Sequence, residues 1–332
     1  MNIEFHYYSV YIIARKAGFD EDSSYILAYS SQYTDDNCEK CRVNIKEGEE
    51  YKNYISQTMD ILKPKKELMR IYPCFHFFPG DYDNNSTMRK DGKLHLLNTT
   101  PNSKNVKTLL EKALETKNLY RIGIALHTYA DSFAHQNFVG YYDCFNGMKG
   151  VIERMLPNIG HADAKTNPDI PGKVWKDKRL ISKNEEVHNT ERFLNAVEKI
   201  FDYLWNFKNK NLKGNLKEKA KKETIETLKK CYYKEFRHGD YYKKKRMKLY
   251  FQYGQMPEYS KNEWISKALK TPSIETEIPS TIPVTTFFCE NRENFFNSHW
   301  YKFQQAVKEH QQTALEILEP VFKKIELDPE TF

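Results

Sequence analysis

The chain has 332 residues, of which 39% are hydrophobic and 14% aromatic, and its formal net charge is +7. This length allows a substantial core in one large or two ordinary domains. No run of about 18 apolar residues is present, so we expect no transmembrane helix. No signal peptide is visible, and six Cys without a repeating frame favour free thiols, so we expect a cytoplasmic protein.

The basic charge balance bears on the class of partner. A moderately basic surface favours anionic ligands such as phosphate esters, nucleic acid or anionic lipid, although a general Lys-rich composition would give the same charge. Basic residues are dense over residues 207–247 and include the run Lys243-Lys244-Lys245-Arg246. This run predicts peripheral contact with a membrane or with nucleic acid, and a solvated helix face is the simpler alternative.

Apolar residues recur at helical spacing along most of the chain. This pattern predicts helices over 3–17, about 20–33, 105–116, 118–138, 183–208, 213–237 and 289–325. Gly18 is a natural stop for the first helix. Residues 37–60 suggest a short β-hairpin or an irregular insertion, and 271–286 show no helical pattern.

Two long stretches, residues 73–105 and 157–181, are rich in Pro, Gly and Asp. Loops this long in a compact domain are often functional. We therefore predict a mainly α fold, a multi-helix bundle with long functional loops and room for a small β-hairpin insertion. Residues 1–205 would form a metal-binding helical core, and 206–332 a C-terminal helical extension that packs on it as one compact unit.

The most informative pattern is a row of His127, Asp131 and His135 in one predicted helix. Steps of four residues advance about 40° around a helix and about 6 Å along it, so the row covers an arc of about 80° and a length of about 12 Å. The flanking residues are apolar nearly all round, which is typical of a buried helix. Buried polar side chains need partners, and either bound metal or a hydrogen-bonded core network would supply them.

Other residues could complete a metal site around this row. Imidazole and carboxylate are ligands that Zn²⁺, Mn²⁺ and Fe²⁺ accept. The candidates outside the row are His6, Asp35, Asp36, His76, His161, Asp163 and Asp169. A separate Cys38-x-x-Cys41 pair has no second pair at suitable spacing, so we do not expect a structural zinc site there.

Several known catalytic motifs are absent. The sequence has no adjacent His-Asp pair, no HExxH, no Walker A lysine loop and no GxSxG elbow. This absence disfavours phosphohydrolases built on a His-Asp pair, zincin proteases, P-loop enzymes and α/β-hydrolases.

The order of these residues resembles the zinc-dependent phospholipase C/S1-P1 nuclease superfamily. That order is an N-terminal His, an Asp about thirty residues later, a loop His, a helical His-x-x-x-Asp and two further His. The stretch from Ala125 to His135 is similar to the Het-C-like branch. The whole chain, with Phe5-His6-Tyr7-Tyr8 and Gly160-His161-Ala162, also resembles the uncharacterised bacterial family DUF6765.

The superfamily resemblance implies an all-α fold with a zinc cluster that hydrolyses phosphoesters. Carried onto this sequence, it implies two Zn²⁺ ions, with a third as an option, and Mn²⁺ or Fe²⁺ as alternatives. His6 and either Asp35 or Asp36 would serve the first part of the cluster, with His76 joining that carboxylate. His127 and Asp131 would complete a pair, and His135 and His161 would hold the remaining ion with Asp163 or Asp169.

These residues lead to a functional hypothesis with one rival. We expect a metal-dependent phosphodiesterase in which Asp131 bridges two ions and holds the nucleophilic water, with Asp35 and Asp36 as further catalytic carboxylates. The substrate would be a phospholipid or a nucleic acid, and an apolar approach for lipid could come from the aromatic side chains Phe75, Phe77 and Phe78. The rival is a non-enzymatic binding or effector protein with structural metal ions.

Overall fold

The fold is mainly α, as predicted, with small β-sheets at its edges. The computed structural model describes residues 1–46, 48–58, 60, 65–148, 158–209, 214–233, 240–269 and 285–327. The α-helices are α1 Val10–Lys16, α2 Glu21–Asp36, α3 Lys65–Met69, α4 Lys104–Glu115, α5 Leu119–Ala134, α6 Asn189–Lys208, α7 Asn215–Tyr233, α8 Asp240–Gly254, α9 Glu263–Ala268, α10 Arg292–Asn297 and α11 His299–Lys324. Among these residues, no helix is both long enough and apolar enough to cross a membrane.

Within the described residues, short strands form three small sheets. The strands are β1 Cys41–Ile45, β2 Glu49–Lys52, β3 Tyr142–Asp143, β4 Asn158–Ile159, β5 Val174–Lys176, β6 Glu186–His188 and β7 Thr285–Cys289. The hairpin expected within 37–60 is present, because β1 pairs antiparallel with β2. β7 adds to the other edge of β1 in parallel, so a strand from far along the chain completes this sheet. Most of the 271–286 segment, up to residue 284, lies outside the described residues.

Side-chain caps explain where several helices begin. Asp20 accepts a hydrogen bond from the Ser23 amide at α2, and Asn118 accepts from the first turn of α5. Ser103 and Ser298 do the same for α4 and α11. Such caps satisfy amides that have no partner inside the helix, typically for about 1 kcal/mol each. At the other end of α1, Gly18 takes φ +96°, which explains the predicted stop.

The first predicted helix is not a regular α-helix throughout. Residues Glu4–Ser9 form a π-helix that leads into α1, and a second π-helix, Tyr72–His76, overlaps the start of the segment 73–105 predicted as loop. π-Helical turns are rare and occur frequently at functional sites. Here they carry His6 and His76.

Helix α5 is the centre of the core. It packs against α2, α4, α6 and α11, and all its residues from Arg121 to Ala134 are buried. Gly123 allows the closest approach to α2, because a Cβ there would lie 2.6 Å from the Leu27 carbonyl oxygen. This crossing places the end of α2 beside the polar side chains of α5.

The C-terminal part of the chain contributes to the same core. Phe303, Val307 and Leu318 of α11 belong to one hydrophobic cluster with residues of α1, α2 and α5. A smaller cluster contains Phe77, Phe138, Ala164, Trp175 and Val187, and its Phe77 stacks on His135 of the central row. The row is therefore enclosed by contributions from most of the chain.

Candidate metal centre

Eight of the predicted side chains meet around α5 in three groups that could each hold a metal ion. The Asp35 group contains Asp35, His76 and His127. The His6 group contains His6, His127 and Asp131, and the His161 group contains His135, His161 and Asp169. Within each group the ligand atoms lie within 4.8 Å of one another.

The Asp35 group brings together α2, α5 and the second π-helix. His76 Nδ1 lies 3.0 Å from His127 Nε2, and Asp35 Oδ1 lies 3.6 Å and 3.7 Å from these two atoms. His76 donates its other ring nitrogen to the Ser56 carbonyl at 2.9 Å, and His127 donates to the Ser31 carbonyl at 2.8 Å. These hydrogen bonds fix the tautomers, so when both rings are neutral a nitrogen lone pair of each faces the other.

The carboxylate of Asp131 links the groups. Its Oδ1 lies 3.2 Å from His6 Nε2 and accepts a hydrogen bond from the Met1 amino group. Its Oδ2 lies 3.2 Å from His127 Nε2 and 3.6 Å from His135 Nδ1. Oδ1 thus faces His6, and Oδ2 faces His127 and His76 of the Asp35 group. This arrangement suits a bridging ligand.

The His161 group lies at the C-terminal end of α5. His135 directly follows Ala134, the last residue of this helix, although the sequence placed it inside a predicted helix that ran to residue 138; its Nε2 lies 2.9 Å from Asp169 Oδ1. The other oxygen of Asp169 is 3.4 Å from His161 Nε2. His135 donates Nδ1 to the His76 carbonyl at 2.8 Å, and His161 donates Nδ1 to the Lys165 carbonyl at 2.7 Å.

Local packing orients this third group. The Phe77 ring stacks on the His135 ring with centroids 4.7 Å apart. Gly160, at φ +54°, makes room for Phe77, because a Cβ there would lie 2.5 Å from its ring. Asp169 is tied to the start of the chain, since its carbonyl accepts a hydrogen bond from the Asn2 amide.

The carboxylates of the cluster differ in their electrostatics. Burial alone would raise the pKa of Asp131, but its electrostatic interactions with His135, with the Met1 amino group and with His127 hold the pKa well below its usual value. Burial is likewise outweighed at Asp169, where His161 and its neighbours lower the pKa. Burial raises the pKa of Asp35. Two carboxylates at least are therefore anionic, as a cation site requires.

The histidines are shifted in opposite directions. Burial lowers the pKa of His127, but the carboxylates of Asp131 and Asp35 outweigh it and raise the pKa. Burial, with His127 as the next contributor, lowers the pKa of His6 well below its usual value. A neutral His6 is the form that binds a metal.

The groups also differ in their access to solvent. The side chains of His6 and His127 are 0% exposed and that of Asp131 is 1% exposed. Those of Asp35, His161 and Asp169 are 28%, 21% and 16% exposed. The shared centre is buried, whereas Asp35, His161 and Asp169 reach the surface.

Two predicted carboxylates lie outside the groups. Asp36, on the next position of α2, accepts hydrogen bonds from Tyr259 at 2.7 Å and Gln32 at 3.0 Å. Asp163 accepts from the Met148 amide at 3.1 Å. Of each alternative pair, the structure brings only Asp35 and Asp169 to the cluster.

The aromatic residues expected to form an apolar approach are buried. Phe75 and Phe78 belong to the main core, where Phe75 stacks on His310, and Phe77 packs on His135. Their burial leaves no aromatic face for a lipid at these positions, so this expectation needs correction. Arg246 is likewise buried, in a bidentate ion pair with Glu4, and does not add to the basic surface.

Sequence reasoning missed the backbone groups of the site. The carbonyls of Ser31, Ser56, His76 and Lys165 orient four histidine rings. Backbone carbonyls carry no residue-type signal, so no motif could have revealed them. The Met1 amino group beside Asp131 was also not expected.

Comparison with known proteins gives one match. The chain matches no curated protein and no solved structure. A family model described as a family of unknown function, DUF6765, matches residues 1–318. The expected resemblance to this family is confirmed, while the one to the phospholipase C/S1-P1 nuclease superfamily stays a prediction. The chain therefore belongs to the DUF6765 family.

Proposed function

We propose that this protein is a metal-dependent phosphodiesterase that binds two Zn²⁺ ions, and up to three, through the three groups around Asp131. The observation that carries the proposal is the pair His76 and His127. Their facing nitrogens are 3.0 Å apart although each ring already donates its other nitrogen to a carbonyl. Two lone pairs this close repel each other unless a proton or a cation lies between them.

The spacing suits coordination. Two nitrogens at about 2.0–2.1 Å from one tetrahedral Zn²⁺ lie about 3.3–3.4 Å apart, so a small outward shift from the 3.0 Å separation would admit the ion. Imidazoles that donate their second nitrogen to a carbonyl are typical of metal-ligating histidines. Four rings of the cluster have this support. The donor set of imidazoles and carboxylates fits Zn²⁺, with Mn²⁺ and Fe²⁺ as alternatives.

The chemistry follows from the donor set and its access. Bound Zn²⁺ ions would lower the pKa of water to near 7 and offset negative charge on a phosphoryl group. Asp131, with one oxygen toward each of two groups, would fix their spacing. The partial exposure of Asp35, His161 and Asp169 supports a site that a substrate can reach.

The basic surface favours an anionic substrate but does not distinguish a nucleic acid from an anionic lipid. Lys243, Lys244 and Lys245 are exposed on α8, and such a run suits a polyanion such as nucleic acid or an anionic membrane. The buried Phe75 and Phe78 remove one argument for a lipid. Assays should therefore include both classes of phosphodiester.

The direct test measures metal and hydrolysis together. Protein loaded with Zn²⁺ would be assayed with bis(p-nitrophenyl) phosphate, p-nitrophenyl phosphorylcholine, and single-stranded DNA and RNA. We expect hydrolysis of at least one substrate and its loss in Asp131→Asn, with circular dichroism showing a folded variant. Fewer than about one transition metal per chain after reconstitution would contradict the proposal. Bound metal without hydrolysis of any substrate would instead favour a structural role.

A further inference from the structure

The five histidines of the cluster are not supported equally. His76, His127, His135 and His161 each donate one ring nitrogen to a backbone carbonyl at 2.7–2.9 Å. No described backbone carbonyl accepts a hydrogen bond from His6 in this way. Its Nδ1 is buried and has no hydrogen-bond partner among the described residues, and its Nε2 lies 3.2 Å from Asp131 Oδ1.

This difference affects the cost of binding an ion. In the four supported rings the proton is held on the nitrogen that faces a carbonyl, so the other nitrogen already offers its lone pair. A neutral His6 is most stable with its proton on Nε2, donating to Asp131. Coordination through Nε2 would move that proton to Nδ1, where a buried N–H without an acceptor is costly.

The His6 group and the Asp35 group share one ligand, His127. His127 donates Nδ1 to Ser31, so only its Nε2 is free to coordinate. That nitrogen lies 3.0 Å from His76 Nδ1, and one nitrogen lone pair binds one ion. When the Asp35 group is filled, the His6 group retains only His6 and Asp131 among its side chains.

We propose that the cluster binds ions of two classes: tight ions in the Asp35 and His161 groups and a labile, exchangeable ion in the His6 group. This inference rests on the proposed metal cluster and not on the identity of the substrate. Loss of a hydrogen bond to a ligating histidine typically costs 10–100-fold in metal affinity. We therefore expect the third dissociation constant to exceed the other two by about 10–100-fold.

The experiment counts ions of the intact chain. Metal-free protein would be titrated with Zn²⁺ by calorimetry, and Zn²⁺-loaded protein would be dialysed against chelators of increasing strength before elemental analysis. Two tight ions and a weaker third are expected. His6→Ala should keep the two tight ions and lose only the weak one. His188→Ala is the matched control, because His188 is exposed and contacts Glu186 outside the cluster.

A second measurement avoids dependence on the folding of a variant. Co²⁺ added to the Zn²⁺-loaded native protein should exchange rapidly at one site, followed by slow exchange at two, as seen in the visible absorption of bound Co²⁺. Three ions that bind and exchange alike would overturn the inference, as would loss of more than one ion in a folded His6→Ala.

The two proposals fail in different ways. Two classes of ion without hydrolysis of any phosphodiester would leave this inference standing and contradict the proposed activity. Hydrolysis by a protein whose ions all bind alike would support the proposed activity and contradict this inference. Absence of any bound ion would overturn both.

Discussion

His76 and His127 face each other through nitrogens 3.0 Å apart, and each is held in place by a carbonyl behind it. The two rings come from different elements, the second π-helix and α5. Their approach cannot be a hydrogen bond between two neutral rings in these tautomers, because neither facing nitrogen carries a proton. The fold therefore holds two ligands in a geometry that a proton or a metal cation between them would relieve.

The first prediction concerns stability. Zn²⁺ should raise the melting temperature of metal-free protein, and a chelator should reverse the rise, because the ligands are brought together only in the folded state. At a free concentration one hundred times Kd, each site should add about 2.7 kcal/mol. Differential scanning fluorimetry with Zn²⁺, and with Mg²⁺ as a hard-cation control, would measure it. A melting temperature indifferent to Zn²⁺ would contradict the assignment of the groups.

The second prediction uses two adjacent carboxylates of α2. Asp35→Asn should weaken Zn²⁺ binding, because Asp35 lies in the Asp35 group near His76 and His127. Asp36→Asn is its matched control and should leave Zn²⁺ binding unchanged, since Tyr259 and Gln32 hold that side chain away. Calorimetric titration of both variants would compare them. Equal losses of Zn²⁺ affinity in the two variants would contradict the assignment of Asp35, and not Asp36, to the cluster.

The sequence predicted the helices better than the site. The 3.6-residue spacing revealed most long helices, and the i, i+4 row on α5 placed two ligands on one face, because helical geometry is local. The choice between Asp35 and Asp36 could not be made in this way. It depends on how α2 crosses α5 at Gly123, which is a tertiary contact.

Other features depend on partners far along the chain. The parallel pairing of β1 with β7 joins residues some 240 positions apart, and no local pattern indicates it. The π-helices that carry His6 and His76 were predicted as an α-helix and a loop. The residue types in these two segments are equally compatible with either conformation, so the sequence could not indicate a π-helix. Phe75 looked available for a ligand, yet α11 covers it with His310.

The third prediction concerns His310, which connects α11 to the metal ligands. Its Nε2 donates to the Cys74 carbonyl at 3.1 Å, two residues before His76, and its Nδ1 accepts from the buried Arg121. His310→Ala should leave Arg121 without this acceptor, which costs about 1–3 kcal/mol or more. It should also weaken Zn²⁺ binding, because the π-helix loses its anchor.

A conservative variant separates positioning from simple packing. Gln can still donate to the Cys74 carbonyl, so His310→Gln should recover much of the Zn²⁺ affinity that the Ala variant loses. Chemical denaturation of metal-free protein and calorimetric Zn²⁺ titration would give the two quantities. Equal Zn²⁺ affinity in native protein and a folded His310→Ala would rule out the positioning role.

The fourth prediction concerns pH and a buried ion pair away from the cluster. Asp177 and Arg179 are each 1% exposed and lie 2.7 Å apart. Burial alone would raise the pKa of Asp177, but the hydrogen bonds and charge of Arg179 outweigh it and lower the pKa. Asp177→Asn should cost about 3–5 kcal/mol at neutral pH, because it leaves a buried cation without its partner.

The sign of the pH dependence follows from the lowered pKa. The carboxylate contributes its full stability above the unfolded pKa of about 3.9, and the contribution falls as pH drops through the folded value. The difference in unfolding free energy between native protein and Asp177→Asn should therefore be constant from pH 7 to about 5 and shrink below about 4. Urea denaturation of metal-free protein across this range would measure it. A difference that grows on acidification would mean that the ion pair does not stabilise the fold.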